Sequence, residues 1–104
     1  MSAFVPASPG LSLEKTMSLS LREFEISLRR LDAAPETVGA DTYRLAHGDG
    51  TVDISARALE PAVLGKLMRL PRCLITIRFS DTHDEAARRA FLVRFDLAFQ
   101  RGGG

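Results

Sequence analysis

The densest group of side chains able to do chemistry lies at residues 81–85, where Asp81, His83, Asp84 and Glu85 follow a strongly apolar segment. An imidazole beside carboxylates can ligate a divalent metal or act in acid–base catalysis. The same residue types also suit a solvated turn that begins a helix, because carboxylates stabilise helix N-termini. We favour the turn interpretation, since it accounts for all four residues without a ligand.

A second polar group, His47, Asp49 and Asp53, surrounds an Asp-Gly step. Such a step readily adopts the positive φ values of a tight turn, so the sequence predicts a β-hairpin between strands at 42–47 and 51–57. Polar side chains are normal at a hairpin tip. This group therefore does not predict a cage of metal ligands.

No motif for nucleophilic or phosphate chemistry is present in the sequence. Gly-x-Ser-x-Gly is absent, and Gly65-Lys66 lacks the other residues of a phosphate-binding loop. The lone Cys73 lies on the apolar side of a predicted strand, where cysteine behaves as a small hydrophobe. We expect no catalytic residue, cofactor or metal. The single cysteine, and the lack of a signal peptide or an apolar run of about 18 residues, predict a cytoplasmic chain without membrane contact.

Arginine dominates the basic residues, with twelve Arg and two Lys in a chain of net charge +1. This excess is typical of GC-rich, bacterial-like coding, and the arginines are scattered among acids. Residues 61–104 are nevertheless locally basic, with eight basic residues against four acids. Phosphate binding draws on such charge. The candidate contacts for an anion or a nucleic acid are Arg69, Arg72, Arg78, Arg88 and Arg89.

The clearest element signal is a strand at 73–79. Its alternate residues, Cys73, Ile75, Ile77 and Phe79, form a continuous apolar face. The β-branched and aromatic side chains suit a pleated surface. The alternating partners are more polar, which predicts a strand with one buried face and one partly wet face.

The segment 83–101 predicts a long helix. Its apolar residues, with Phe91 and Phe95 at the centre, fall within one arc of a helical wheel. Thr82-x-x-Glu85 forms a capping-box pattern and Gly102 is placed as the terminating glycine. A strand is the open alternative, because apolar residues also alternate over 91–99. The terminal glycines resemble the diglycine tail of ubiquitin-like sulfur carriers, which implies adenylation by an activating enzyme.

The remaining chain contributes a flexible N-terminal arm over 1–16, a helix over 20–32 with a Ser20-x-x-Glu23 capping box, and a loop over 33–41. Residues 17–21 also alternate, which leaves a strand open there. Pro61 suits the first turn of a short helix that Pro71 ends, with Val63, Leu64, Leu67 and Met68 as its apolar side.

These elements predict one α+β domain over 17–104. We expect a three-stranded, mostly antiparallel sheet packed by two main helices, in the order α-β-β-(short α)-β-α. That order loosely resembles double-stranded RNA-binding domains, although the lysine-rich start of their recognition helix is missing. The domain is expected to act by binding itself as a homodimer, or a protein partner, through the open sheet face or an edge strand. The alternative is a nucleic-acid-binding module that uses the C-terminal arginines.

Overall fold

The computed structural model describes residues 5–8 and 12–100, which form one antiparallel sheet with two helices against one face. The strands follow the order β1-β2-β6-β5-β4-β3 across the sheet. Their bounds are β1 Val5–Ser8, β2 Ser12–Met17, β3 Glu36–Gly39, β4 Thr42–His47, β5 Gly50–Leu64 and β6 Met68–Phe79; the helices are α1 Leu21–Leu31 and α2 Glu85–Ala98.

The α+β class is therefore confirmed, but the three-stranded sheet was wrong. Strand β1 and most of strand β2 lie in residues 1–16, which were predicted to be a flexible N-terminal segment. Strand β2 pairs with β6 from Ser12↔Arg78 to Met17↔Cys73, and β1 pairs with β2. Strand β3 lies in the predicted loop 33–41 and pairs with β4. These strands are four to six residues long. They form because a neighbouring strand supplies backbone partners, a non-local cause that periodicity does not reveal.

The short helix predicted after Pro61 was also wrong. Residues 61–71 instead form the distal part of a hairpin between β5 and β6, in which Ala62 pairs with Leu70 and Leu64 with Met68. Gly65 adopts a φ of 69° in the turn, a conformation that glycine adopts without strain. The sequence contains a turn signal there, the Gly65-Lys66 step between Pro61 and Pro71. The helical spacing of the apolar residues around it predicted a helix instead.

Helix α1 follows the prediction closely. Ser20 caps it: its hydroxyl accepts from the Glu23 N–H at 3.1 Å, and the Glu23 carboxylate accepts from the Ser20 N–H at 2.9 Å. This reciprocal pair satisfies two backbone donors that a helix N-terminus otherwise leaves open. The capped start directs Phe24 and Leu28 into the core, where both are buried.

Helix α2 confirms the helical interpretation of 83–101 and rules out the alternative strand. The N-cap is Asp84, however, and not Thr82: the Asp84 carboxylate accepts from the Ala87 N–H at 2.8 Å. Phe91 and Phe95 are fully buried, as the helical wheel predicted. Phe99 follows the helix as its C-cap, and the predicted role of Gly102 lies outside the described residues.

The core lies between the helices and the inner face of the sheet. Alternate residues of β6 point into it, so the period-two pattern predicted for 73–79 is confirmed, and β5 shows the same alternation. Burial raises the pKa of the Cys73 thiol, with smaller contributions from nearby carboxylates. The sheet residues in this core are Leu45, Val52, Ile54, Ala56, Cys73, Ile75, Ile77 and Phe79.

Candidate functional site

The predicted polar group at 81–85 separates into two unlike parts. Asp81 and Thr82 are exposed, Asp84 caps α2, and Glu85 pairs with Arg89 at 2.7 Å on the helix surface. His83, in contrast, is buried. The solvated-turn interpretation was therefore right for the carboxylates and wrong for the histidine. Across residues 12–100, no group of three potential ligands is arranged to hold a metal ion.

His83 closes one end of the core together with His47, which reaches it from the hairpin between β4 and β5. Their rings meet edge to face, with centroids 5.3 Å apart. The His83 Nε2 donates to the His47 carbonyl, while its Nδ1 lies 3.3 Å from the Ser80 hydroxyl. The carbonyl of His83 in turn accepts from Arg88 at 2.6 Å. The imidazole of His83 thereby connects the β4–β5 hairpin to the turn after β6, and its backbone carbonyl connects that turn to helix α2.

The hydrogen bonds of His47 fix its tautomer. Its Nδ1 faces the Arg94 guanidinium at 2.8 Å and must accept, because arginine only donates. Its Nε2 therefore carries the proton and donates to the Ala87 carbonyl at 2.8 Å. Arg94 also donates to the Leu31 carbonyl at 3.1 Å, which connects the two helices. Both imidazoles use both ring nitrogens, so the arrangement suits structural closure and leaves no lone pair for a metal.

Sequence reasoning placed the two histidines at separate turns and did not predict that they meet. No local signal shows it, because the register of β4, β5 and β6 brings the two turns to the same end of the sheet. Gly50 marks the close approach: a Cβ there would overlap the hydroxyls of Ser80 and Thr82. A glycine beside a polar turn was the only hint available in the sequence.

The open face of the sheet is polar where it lies opposite the helices. Arg44 and Asp53 form a bidentate pair there at 2.8 and 3.1 Å, which raises the pKa of Arg44. Neighbouring side chains surround a depression of about 180 Å³, lined by Thr42, Asp53, Ser55, Thr76 and Arg78. This chemistry suits hydration or weak polar contact and offers little apolar area to a partner.

The five candidate arginines do not share one surface. Arg69 and Arg72 lie on the distal hairpin, Arg78 lies on the open face beside Ser12, and Arg88 and Arg89 lie on α2. Arg72, Arg88 and Arg89 are engaged by the Glu60 carbonyl, the His83 carbonyl and the Glu85 carboxylate respectively. The anion contacts predicted from the sequence therefore face different directions and do not form a continuous basic patch.

The distal hairpin, residues 59–72, is the most unusual surface of the molecule, and we call it the arm. Strand β4 pairs with β5 only as far as Ser55, and β2 pairs with β6 only from Cys73. Beyond those points, within the part of the chain that the structure describes, the two strands pair only with each other. At about 3.3 Å per residue the arm extends roughly 20 Å from the sheet, and the molecule is correspondingly elongated, 48 Å against 28 Å.

A β-bulge at Glu60 and Pro61 marks the base of the arm. The register shifts by one residue between the pairs Leu59↔Arg72 and Ala62↔Leu70. Bulges accommodate a proline inside a strand, because the extra residue need not donate to the ladder. Arg72 stabilises this point by donating to the Glu60 carbonyl at 2.9 Å.

Large apolar side chains are exposed along the whole arm. Their exposed fractions run from 36% for Leu70 to 99% for Leu67 at the turn. The sequence prediction placed four of them, Val63, Leu64, Leu67 and Met68, on one side of a short helix. The arm residues that are exposed and apolar are Val63, Leu64, Leu67, Met68 and Leu70.

Comparisons with known proteins do not assign the chain: no protein-family model matches it, and no curated protein matches it significantly. Among the helices of the described residues, none has the length and hydropathy that a membrane span requires.

Proposed function

We propose that the protein is a small cytoplasmic interaction module that acts by binding a protein partner or a second copy of itself through the arm. The observation that carries this proposal is the set of five large apolar side chains that the arm exposes to water. Exposed apolar patches of this kind mark interaction surfaces in soluble proteins. Cys73 is buried and has no second cysteine in this sequence to pair with, which fits the reducing compartment proposed here.

The arm replaces the open face and the edge strands as the expected docking surface. The open face is polar, and its Arg44–Asp53 pair already satisfies the charges at its centre. A two-stranded ribbon is marginally stable in water unless something packs on it. Contact with a partner would therefore stabilise the arm as well as remove its apolar side chains from water.

The test compares two double variants in the full chain. Leu64→Ser/Leu67→Ser removes apolar area from the arm, and Val93→Ser/Leu97→Ser removes similarly exposed apolar area from α2. Size-exclusion chromatography with light scattering measures self-association, and affinity purification of a tagged chain from its native cells measures bound partners. We expect the arm variant alone to lose the dimer or the co-purifying protein. Identical profiles for both variants and the parent chain would contradict the proposal.

Nucleic-acid binding stays an alternative prediction, and the structure improves its test. Arg88 holds the His83 carbonyl, so replacing it would disturb the fold. Arg69 and Arg89 are exposed and make better probes. If the ultraviolet spectrum of the purified chain shows bound nucleic acid that Arg69→Ala/Arg89→Ala removes, the alternative gains over the proposal; the single Tyr and the lack of Trp make such a signal easy to see.

A further inference from the structure

The apolar side chains of the arm lie mainly on one face, but the other face also carries one, Val63. Successive cross-strand pairs point to opposite faces of a ribbon. Leu64↔Met68 and Ala62↔Leu70 thus share one face, while Val63↔Arg69 lies on the other. Leu67 projects from the turn between them. A flat surface can cover only one of these faces, so full burial of the arm requires a cleft.

Beyond the bulge, the charged residues of the arm are all basic. Residues 61–72 contain Lys66, Arg69 and Arg72 and no acid, and the one acid of the arm, Glu60, lies at its base. Arg72 donates a hydrogen bond to the Glu60 carbonyl at the base of the arm. Lys66 lies in the turn, and Arg69 is the cross-strand partner of Val63. Both of these cations are exposed. Burial of apolar residues beside uncompensated cations is costly, because the cations need opposite charges once water is displaced.

We infer that the arm docks into an apolar cleft of a different protein, and that carboxylates line the rim of that cleft beside Lys66 and Arg69. This inference rests on the proposed function and specifies its partner by chemistry. The apolar apex fills the cleft, and the cations at its margin pair with the acidic rim. Complementary charge at a rim mainly accelerates association and selects the partner, while the buried apolar anchors supply most of the affinity.

A second copy of the chain fits this surface poorly. Two arms packed together would bring like charges into contact, since each carries Lys66 and Arg69. Edge-to-edge pairing is also obstructed, because Pro61 in β5 and Pro71 in β6 each lack an N–H. Within residues 12–100, the large exposed apolar side chains outside the arm are Ile26 and Val38, on α1 and β3, and Val93 and Leu97, on α2.

A lipid bilayer fits less well than a protein cleft for a different reason. Among residues 5–8 and 12–100, no neighbouring strand pairs with the outer edges of the arm beyond Ser55 in β5 and before Cys73 in β6. Hydrocarbon would leave those backbone N–H and C=O groups without partners, which membrane-inserted structures avoid. A protein cleft can supply polar groups or ordered water at the same edges.

The experiment places the photoreactive residue benzoylphenylalanine at position 67 of the full chain in its native cells. Two charge variants accompany it: Lys66→Glu/Arg69→Glu on the arm, and Arg22→Glu/Arg30→Glu on exposed positions of α1 as the matched control. We expect a crosslink to one different protein, reduced about tenfold or more by the arm variant and unchanged by the control. The crosslinked segment of that protein should contain Asp or Glu, and changing those acids to Lys should restore binding of the arm variant in purified components.

Several outcomes would overturn the inference. These are a crosslink to a second copy of the chain, a crosslink to nucleic acid, cosedimentation of the chain with phosphatidylglycerol vesicles without a protein crosslink, or a protein crosslink that charge reversal leaves unchanged. The last of these separates the two proposals. If Val63→Ser/Leu64→Ser, with benzoylphenylalanine kept at position 67, abolishes that crosslink while charge reversal does not, arm docking stands and the acidic rim fails. If neither arm variant changes it, both fail.

Discussion

Strands β5 and β6 form one hairpin with two unlike halves. In the half beside the helices, alternate residues are buried, Ile54 and Ile77 completely. In the arm, the same two strands continue to pair, yet Leu67 and Val63 remain largely in water. The backbone ladder is similar in both halves, so the ladder alone does not decide burial. What differs is the presence of α1 and α2 above the first half.

This difference separates the apolar residues that fold the protein from those that do not. Burying a large apolar side chain contributes about 1.5–3 kcal/mol relative to leaving it exposed. The proximal half obtains that contribution when the helices pack, whereas the arm does not obtain it within this chain. The corresponding free energy is still available when a partner covers the arm. Substitutions should therefore divide cleanly between folding defects and binding defects.

The largest expected effect is that of Phe95→Ala in the proximal half. Phe95 is fully buried and stacks on Phe99 with ring centroids 4.1 Å apart, so truncation leaves a cavity in the core. We expect the free energy of unfolding to fall by about 3–5 kcal/mol, measured by denaturant titration with circular dichroism. Phe95→Leu provides a milder variant should the first fail to fold. A loss below about 1 kcal/mol for Phe95→Ala would contradict the boundary drawn between the two halves.

His83→Ala should have the next largest effect, because it opens the polar end of the core. The variant leaves the His47 carbonyl without its donor and removes a buried ring that contacts Phe79 edge to face at 6.0 Å. We expect a loss of about 1–3 kcal/mol. Asp81→Ala, at an exposed neighbour, is the control and should change stability by no more than about 0.5 kcal/mol.

Addition of zinc tests whether His47 and His83 can bind a metal ion. Because both ring nitrogens of His47 and His83 already have partners, added zinc should not raise the Tm of the parent chain. A rise that His83→Ala abolishes would instead restore the metal interpretation of this cluster.

Leu64→Ser/Leu67→Ser should hardly change folding, in contrast to the core substitutions. Both side chains are at least half exposed, so their removal costs little transfer free energy, about 0.5 kcal/mol or less. Thermal unfolding followed by circular dichroism measures this. If the double variant unfolds several kcal/mol more easily, the arm is packed against the body in solution and the comparison of the two halves breaks down.

The two halves also differ in how well the sequence predicts them. Local patterns predict α1, through Ser20, Phe24 and Leu28, and the centre of β6, through the alternation from Cys73 to Phe79. Both predictions are possible because caps and periodicity act over a few residues. The arm has the same apolar content, but Val63, Leu64, Leu67 and Met68 fit a helical stripe as well as a ribbon. Whether such a stripe is buried depends on which elements cover it, and covering is a property of the whole fold.

The contact between His47 and His83 shows the limit of what the sequence can predict about a functional site. These residues lie 36 positions apart and meet through the His47 carbonyl only because three strands share a register. Their residue types suggested metal or acid–base chemistry, while their hydrogen bonds indicate structural closure. The arginines show the same limit, since a locally basic sequence over 61–104 is distributed over three different surfaces in the fold.

The reactivity of one cysteine in each half compares the two halves directly. The substitutions that this requires change the structure less than the core substitutions above. Cys73 is buried, and burial also raises the pKa of its thiol, so both access and thiolate formation are suppressed. A cysteine introduced by Leu67→Cys, in a Cys73→Ala background, lies at the exposed turn. We expect Cys73 to react with a disulfide reagent at least about a hundredfold more slowly than the arm cysteine. Equal rates in the native chain, with full reaction of both in denaturant, would show that the proximal half opens as readily as the arm.

The titration of Tyr43 gives the smallest and most local signal. Partial burial, followed by the hydrogen bond to Glu25 at 3.0 Å, raises the pKa of this phenol above its ordinary value of about 10. The stability it contributes is fully present below the unfolded pKa and is lost as the pH rises through the folded pKa. Glu25→Gln should lower the midpoint of the Tyr43 titration but remove only part of the shift, because burial is the larger cause.

Because Tyr43 is the only tyrosine and the chain has no tryptophan, phenolate absorbance reports on the proximal half alone. Tyr43 pairs with Ile54 of β5, well away from the arm. The midpoint should therefore be the same in the parent chain and in Leu64→Ser/Leu67→Ser. A shifted midpoint in the arm variant would mean that the arm transmits strain along β5 into the core, and the division between folding residues and binding residues would then have to be redrawn.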